Sequence, residues 1–252
     1  MNLTIFIPTF LNKENMINLI KTLPKKSNVF IVLINDNVDF KIENNYENIE
    51  ILNNLFNKGK FWSIYDAFDK IRSKYFLVID PDDILLKNID WQLIEKLNSQ
   101  LILNDEDLII NSFYEKKNSK KYKLIKSKRI YFVFNPNSIL KSELFFKNKK
   151  LISSLDKIPF NYMSDLSLIF LLKPKNNGYL NFPFYKYTYG IGISSSNRNN
   201  RLKYISEPFK IYKKTNFKKL NSKSILKNWC FKITRVNKMR FLKIINLKNN
   251  NI

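Results

Sequence analysis

The sequence predicts an α/β fold in which a mostly parallel sheet is flanked by helices. In the first hundred residues, short apolar segments rich in β-branched residues alternate with segments whose apolar residues recur at helical spacing. The chain has 252 residues, of which 44% are hydrophobic and only four are glycine. This is enough apolar material for one packed α/β domain, and a basic C-terminal extension is expected to follow it.

The N-terminal half alternates strands and helices as βαβ units require. The predicted strands are 3–7, 28–34, 49–52 and 75–79. The first of them is expected to stop at Pro8, because proline cannot donate a hydrogen bond to a neighbouring strand. The predicted helices are 13–22, 60–73 and 89–101. Ligands of such sheets bind beyond the carboxyl ends of the strands, so polar residues that follow strands are candidate site residues.

The C-terminal half has a looser pattern. Strands are predicted at 107–113 and 130–134 on either side of a basic loop at 116–128, and residues 178–192 are aromatic and extended. Residues 164–173 predict a helix with Ser164 as its N-cap. The final part, 223–248, mixes cationic residues with Ile, Leu, Trp and Phe.

Charge and composition limit the possible chemistry. Lys and Arg number 44 against 21 Asp and Glu, which gives a net charge of +23 and favours polyanionic partners such as acidic lipids, nucleic acids or nucleoside diphosphates. The single cysteine, Cys230, fits a reducing compartment. The absence of histidine excludes a Ser-His-Asp triad, a Cys-His pair and His-ligated zinc. Catalysis would have to use carboxylates, Lys, Arg, Tyr or a hard metal ion.

No targeting or spanning segment is predicted. The N-terminus "MNLTIFIPTF" lacks a basic region before its short apolar run, and that run contains proline, so we do not interpret it as a signal peptide. The apolar stretch "LSLIFLL" is far shorter than the ~20 residues that span a bilayer. We therefore expect a cytoplasmic protein.

The segment "KYFLVIDPDDILL" places Asp80, Asp82 and Asp83 directly after a predicted buried strand. One interpretation is a type I turn in which Pro81 presets φ and an aspartate caps the next helix. The other is a hard-cation site, since Mg²⁺ and Mn²⁺ prefer oxygen ligands and Mg²⁺ needs only one or two protein carboxylates besides phosphate and water.

Four segments in order, "LTIFIPTF", "IVLIND", "NKG" and "FLVIDPDD", resemble the family 2 glycosyltransferases with the GT-A fold. In that family a first strand ends in Pro-Thr/Ser-Tyr/Phe, a second ends in an Asp-Asp pair, an Asn-x-Gly segment follows, and a later strand runs into Asp-x-Asp. The resemblance covers roughly residues 1–100. It implies a nucleotide-sugar-binding half at 1–105, an acceptor-binding half at 106–221 and a basic amphipathic extension at 222–252.

The resemblance also implies roles for individual residues. Pro8 and Thr9 would lie beside the nucleotide, and Asp36 would contact the nucleobase or ribose. Asp80 would contact the ribose or metal-bound water, and Asp82 would ligate Mn²⁺ or Mg²⁺ at the diphosphate. A metal ion there would stabilise the charge that develops on the leaving diphosphate.

A later segment, "YMSDLSL", resembles the Glu-Asp catalytic motif of the family, with Ser164 in place of Glu. Asp165 would then be the general base that takes the proton of the acceptor hydroxyl, and the transfer would invert the anomeric configuration. The alternative is structural, because an acidic residue in the first turn of a helix complements the helix dipole.

Basic residues are the other candidates for the diphosphate. In "YGIGISSSNRNNR", Arg198 and Arg201 could close over it as part of a lid, or the segment could be a surface loop. Lys58 and Lys60 are further candidates. The family's Asp-Asp-Gly-Ser is here Asn-Asp-Asn-Val, from 35 to 38, so contacts in the donor pocket must differ.

The resemblance as a whole implies an inverting, metal-dependent hexosyltransferase. The donor would be a UDP-sugar, and the acceptor a glycan or lipid-linked glycan hydroxyl in bacterial surface polysaccharide or lipooligosaccharide synthesis. The basic extension could pack on the domain or lie on an anionic membrane, which would make the protein peripheral on the inner face of the cell membrane. Nucleic acid is not expected, since no recognition motif is present. The alternative is a non-catalytic basic adaptor or degenerate transferase that binds membrane or RNA.

Overall fold

A computed structural model describes residues 1–87, 89–101, 105–116, 122–126, 138–155, 168, 171–172 and 174–188. The strands are β1 (Leu3–Thr9), β2 (Phe30–Asn35), β3 (Ile49–Asn53), β4 (Tyr75–Val78), β5 (Leu108–Lys116), β6 (Lys123–Ile125), β7 (Ile139–Lys141) and β8 (Asn177–Thr188). The helices are α1 (Lys13–Thr22), α2 (Gly59–Ala67), α3 (Pro81–Lys87), α4 (Trp91–Gln100) and α5 (Ser142–Ser153). A short 3-10 turn, Phe68–Lys70, continues α2.

The strands form one mixed sheet in the order β3-β2-β1-β4-β7-β5-β6, and β8 pairs with β5. The four strands of the N-terminal half are parallel to one another. Strand β7 runs antiparallel to both β4 and β5, whereas β8 runs parallel to β5. The predicted α/β class, with helices flanking a central sheet, is confirmed.

Helices cover both faces of the sheet. Side chains of β1 alternate, so Ile5 and Ile7 join Leu19 of α1 and Ile94 of α4 in one buried cluster. The opposite face carries an aromatic cluster around Phe68. Its ring centroid lies 3.7 Å from that of Phe145 in α5, 5.1 Å from Phe76 and 5.5 Å from Phe6. This packing fixes α2 and α5 against the centre of the sheet.

Pro8 does not end the first strand, contrary to the prediction. Strand β1 continues to Thr9, and Pro8 is the register partner of Ile34 in β2. The N–H of Ile79 donates to the carbonyl of Phe6 at 2.9 Å, so the backbone hydrogen-bonding groups of Phe6 point towards β4. Pro8, two residues later, points to the same side. Strand β4 ends at Val78, before the level of Pro8. The sheet therefore loses no hydrogen bond because Pro8 lacks an N–H.

Other boundaries also differ from the sequence prediction. The helix predicted at 60–73 ends at Ala67 and tightens into the 3-10 turn, and the acidic segment is the first turn of α3, which was not predicted as a helix. The short strands β6 and β7 were not predicted either. The predicted strand at 130–134, the helix start at Ser164 and the basic extension at 222–252 lie outside the described residues.

Replacing Phe68 by alanine should reduce the free energy of unfolding by about 3–5 kcal/mol, because it removes a fully buried ring that packs against three others. Chemical denaturation measures this. Phe56→Ala is the matched control, since that ring is 62% exposed and its loss should change stability by less than about 0.5 kcal/mol. Equal losses in the two variants would contradict the described packing.

Candidate functional site

The candidate site lies at the carboxyl edge of the parallel strands. Thr9 pairs with Asn35 and Asn35 pairs with Asn53, so β1, β2 and β3 end at the same level. Strand β4 ends slightly earlier, since its Val78 is level with Phe6. Asp36 and Asp80 follow β2 and β4, which flank β1 on opposite sides. The structure therefore brings both aspartates to one edge, as the sequence predicts.

Asp36 connects this edge to the start of α2. Its side-chain Oδ1 accepts from the amide of Asn54 at 2.9 Å and from the backbone N–H of Lys58 at 3.0 Å. Its Oδ2 accepts from the backbone N–H of Gly59 at 2.9 Å. The residue is only 4% exposed. Because Lys58, the N-cap residue of α2, makes no side-chain cap, the carboxylate of Asp36 satisfies the first donors of that helix from a neighbouring strand.

Thr9 and Pro8 line the same edge from β1. Both are buried, and the Thr9 hydroxyl donates to the carbonyl of Ile34 at 3.0 Å. The backbone carbonyl of Thr9 accepts from the N–H of Asp36 at 2.9 Å. Thr9 thus helps to hold Asp36 in place, and whether either residue contacts a nucleotide stays a prediction.

Asp80 forms an ion pair across the edge. Its Oδ1 lies 2.6 Å from Nζ of Lys60, the second residue of α2, and the two side chains are 40% and 26% exposed. The backbone carbonyl of Asp80 accepts from the N–H of Asp83 at 2.9 Å, which starts α3. Asp83 is 3% exposed, whereas Asp82 in the same turn is partly exposed. Both are acidic residues in a first helical turn, where the helix dipole favours negative charge.

Lys58 faces a different partner from Lys60. Its ammonium group pairs with the carboxylate of Asp66 and lies 5.2 Å from the ring centroid of Phe56. The neighbouring backbone of Gly59 has a φ of 75°, a conformation that glycine adopts without a steric penalty. This turn directs the two lysine side chains to separate acidic partners.

The residues around Asp82 are compatible with a metal ion only if other ligands complete its coordination. Within the described residues, no three His, Cys, Asp or Glu side chains are arranged to hold a metal. Asp80 is engaged by Lys60 and Asp83 is buried, whereas the side chain of Asp82 is partly exposed. One protein carboxylate suffices for Mg²⁺ when phosphate oxygens and water supply the remaining ligands.

Three predicted site residues, Asp165, Arg198 and Arg201, lie outside the described residues, and their roles stay predictions. Asn54, conversely, was not predicted as a site residue. Its side-chain amide donates to Asp36 Oδ1 at 2.9 Å and to the Ser63 hydroxyl at 3.1 Å. Its position immediately after β3 was the available signal, since Asp36 and Asp80 were found by the same reasoning.

Among the helices in the described part of the chain, none combines the length and hydropathy that crossing a bilayer requires.

Comparison with solved structures identifies the fold. TarS residues 1–349 from S. aureus, in complex with UDP-GlcNAc, superposes with a TM-score of 0.60 and 14% identity over 85% of this chain and 66% of that one. The same fragment in another crystal structure gives a TM-score of 0.51 and 12% identity over 75% of this chain and 60% of that one. A further structure of TarS gives a TM-score of 0.51 and 13% identity over 75% of this chain and 37% of that one. This chain thus spans less than two thirds of each of these structures. No family model and no curated protein matches it.

At these identities the likeness establishes the fold alone. The chain described here has a GT-A-like fold. This fold agrees with the resemblance noted for residues 1–100 of the sequence.

Asp36→Asn should destabilise the protein by about 1–3 kcal/mol, because an amide nitrogen replaces one of the two oxygens that accept from three partly buried donors. Urea denaturation monitored by circular dichroism measures the change. Asp39→Asn, at an exposed position in the same loop, should stay within about 0.5 kcal/mol of the parent. If Asp36→Asn is as stable as Asp39→Asn, the carboxylate does not anchor α2.

Proposed function

We propose that this chain is an inverting glycosyltransferase that moves a sugar from a nucleoside-diphosphate donor, a UDP-sugar, to a glycan hydroxyl. The observation that supports it best is a single sheet edge that combines Asp36, Asp80 and Asp82 in a GT-A-like fold. The similarity to TarS, which was crystallised with UDP-GlcNAc, supports a nucleotide-sugar as donor class. Family 2 membership is part of this proposal.

The nucleoside would lie over the end of β1, against Pro8 and Thr9. The carboxylate of Asp36 has about four acceptor positions, of which three are taken by Asn54, Lys58 and Gly59. The fourth acceptor position of the Asp36 carboxylate could accept a hydrogen bond from an N–H of the base or from a ribose hydroxyl. Because the internal bonds hold the carboxylate rigidly, little conformational entropy would be lost when it binds such a donor.

The diphosphate would lie towards the start of α3. Asp82 would hold Mn²⁺ or Mg²⁺ there, and the cation would stabilise the negative charge of the leaving diphosphate. Asp80 would contact the ribose or metal-bound water. Lys58, Arg198 and Arg201 would add positive charge at the phosphates, with the two arginines brought in by a closing segment.

Asp165 would act as the general base. The acceptor hydroxyl must lose its proton as its oxygen bonds to the anomeric carbon, while the bond from that carbon to the diphosphate oxygen breaks. A carboxylate on the face opposite the leaving group can take the proton, and attack from that face inverts the configuration.

The acceptor side of the proposal rests on charge. A net charge of +23 favours an anionic surface, and the basic extension at 222–252 combines cations with large apolar side chains. We propose that the protein works at the inner face of the cell membrane on a glycan or lipid-linked glycan of surface polysaccharide or lipooligosaccharide synthesis. No nucleic acid is part of this proposal.

The donor proposal predicts that a uridine nucleotide stabilises the fold. Thermal unfolding of the full chain with UDP should shift to higher temperature, and Mn²⁺ should enlarge the shift, because a ligand bound only to the native state adds about 2.7 kcal/mol at a hundredfold excess over its Kd. Asp82→Asn should lose the Mn²⁺-dependent part, whereas Asp39→Asn should retain it.

A panel of nucleotides and nucleotide-sugars without any shift would reject the donor site. It would favour the alternative of a basic adaptor or degenerate transferase, which has no reason to couple metal and nucleotide binding. Binding to anionic vesicles or RNA without a nucleotide response would support that alternative.

The general-base proposal predicts a separation of binding from turnover. Asp165→Asn should bind UDP with an unchanged Kd and reduce kcat by about 10²- to 10⁴-fold, the usual contribution of a positioned acid or base. Calorimetry and a UDP-release assay measure the two quantities. Asp156→Asn, a nearby acidic position that is not assigned a role, is the matched control; normal turnover in Asp165→Asn would refute the assignment.

A further inference from the structure

The ion pair between Lys60 and Asp80 occupies the position where a metal-dependent donor site would need negative charge. The Nζ–Oδ1 distance is 2.6 Å, and both side chains are only partly exposed. Asp80 lies two residues after the end of β4, and Lys60 belongs to α2, which follows β3. In the sheet these strands lie on opposite sides of the β2-β1 pair, so the ion pair bridges two separate segments of the carboxyl edge.

The backbone of Lys60 is held in place on its N-terminal side. The N–H of Gly59 donates to Oδ2 of Asp36 and to Oδ1 of Asn57, both at 2.9 Å, and its φ of 75° sets the direction in which α2 starts. The backbone from which the Lys60 side chain extends towards Asp80 is therefore fixed by this turn. Pre-organisation of this kind reduces the entropy that an exposed ion pair normally costs.

We propose that Lys60 is a built-in cation that competes with a divalent metal ion for Asp80. Near the acidic turn, the charge of the Asp80 carboxylate is already balanced by Lys60, and the ammonium group of Lys60 would repel a metal ion. Both effects weaken metal binding in the absence of nucleotide. This inference rests on the proposed donor site and concerns how that site binds its metal.

The consequence is that nucleotide and metal should bind together. The phosphate oxygens of a nucleotide add ligands for the metal ion, and they also add negative charge. They can therefore draw either the metal ion or the ammonium group of Lys60 away from Asp80. Without nucleotide the turn should bind Mn²⁺ weakly, because Lys60 already balances the charge of Asp80.

The test is the affinity of the full chain for Mn²⁺, measured from the loss of the free-ion signal in electron paramagnetic resonance at constant ionic strength. Without nucleotide, Lys60→Met should bind Mn²⁺ roughly three- to tenfold more tightly than the parent, as expected for loss of a partly exposed ion pair and of a repelling charge. Adding Asp80→Asn to Lys60→Met should abolish the gain.

Lys70→Met is the matched control, since Lys70 forms a comparable ion pair with Glu50 at 2.5 Å and follows the same helix. It should bind Mn²⁺ like the parent. Circular dichroism checks that each variant is folded. Equal affinity in Lys60→Met and the parent, including the case in which neither binds measurably, would overturn the inference.

The same titration in the presence of UDP separates this inference from the proposed function. If UDP stabilises the parent but Lys60→Met gains no Mn²⁺ affinity, the donor site stands and the competition is wrong. If Lys60→Met gains affinity through Asp80 but no nucleotide binds, the competition stands and the donor proposal is wrong.

Discussion

The carboxylate of Asp36 is the contact on which the arrangement of the sheet edge depends. It accepts from the side chain that follows β3 and from the first two backbone donors at the start of α2. Because the carboxylate is buried, solvent does not readily reach its oxygens, and a buried polar group left unpaired costs about 1–3 kcal/mol. The side chain that follows β2 thereby connects the end of β3 to the start of α2.

Most of the N-terminal fold was predictable, because its four strands and the helices α1, α2 and α4 each have a local signal. The helix 13–22 matches its predicted bounds because Asn12 caps it through the N–H of Asn15 and its apolar residues keep helical spacing. Pro8 was misjudged because its effect depends on the length of β4, which only the sheet pairing reveals. Strands β6 and β7 are three residues each, too short for a periodic pattern to be recognised.

The candidate site was predictable in its location and less so in its contacts. Strand endings identify Asp36 and Asp80 as edge residues, since parallel strands share one carboxyl edge. Sequence spacing could not pair Lys60 with Asp80 or Lys58 with Asp66, because these partners lie 20 and eight residues apart and depend on the direction of α2. With so many lysines in the chain, only the folded geometry distinguishes one ammonium group from another.

The acidic cluster in a strongly basic chain has a physical explanation in this geometry. Asp36 accepts hydrogen bonds from amide donors and Asp80 pairs with Lys60, while Asp82 and Asp83 lie in the first turn of α3, where the helix dipole favours negative charge. The side chain of Asp82 is partly exposed. A single carboxylate is a weak ligand for a hard cation unless phosphate oxygens join it. In the donor site that we propose, the metal ion and the diphosphate would therefore bind together.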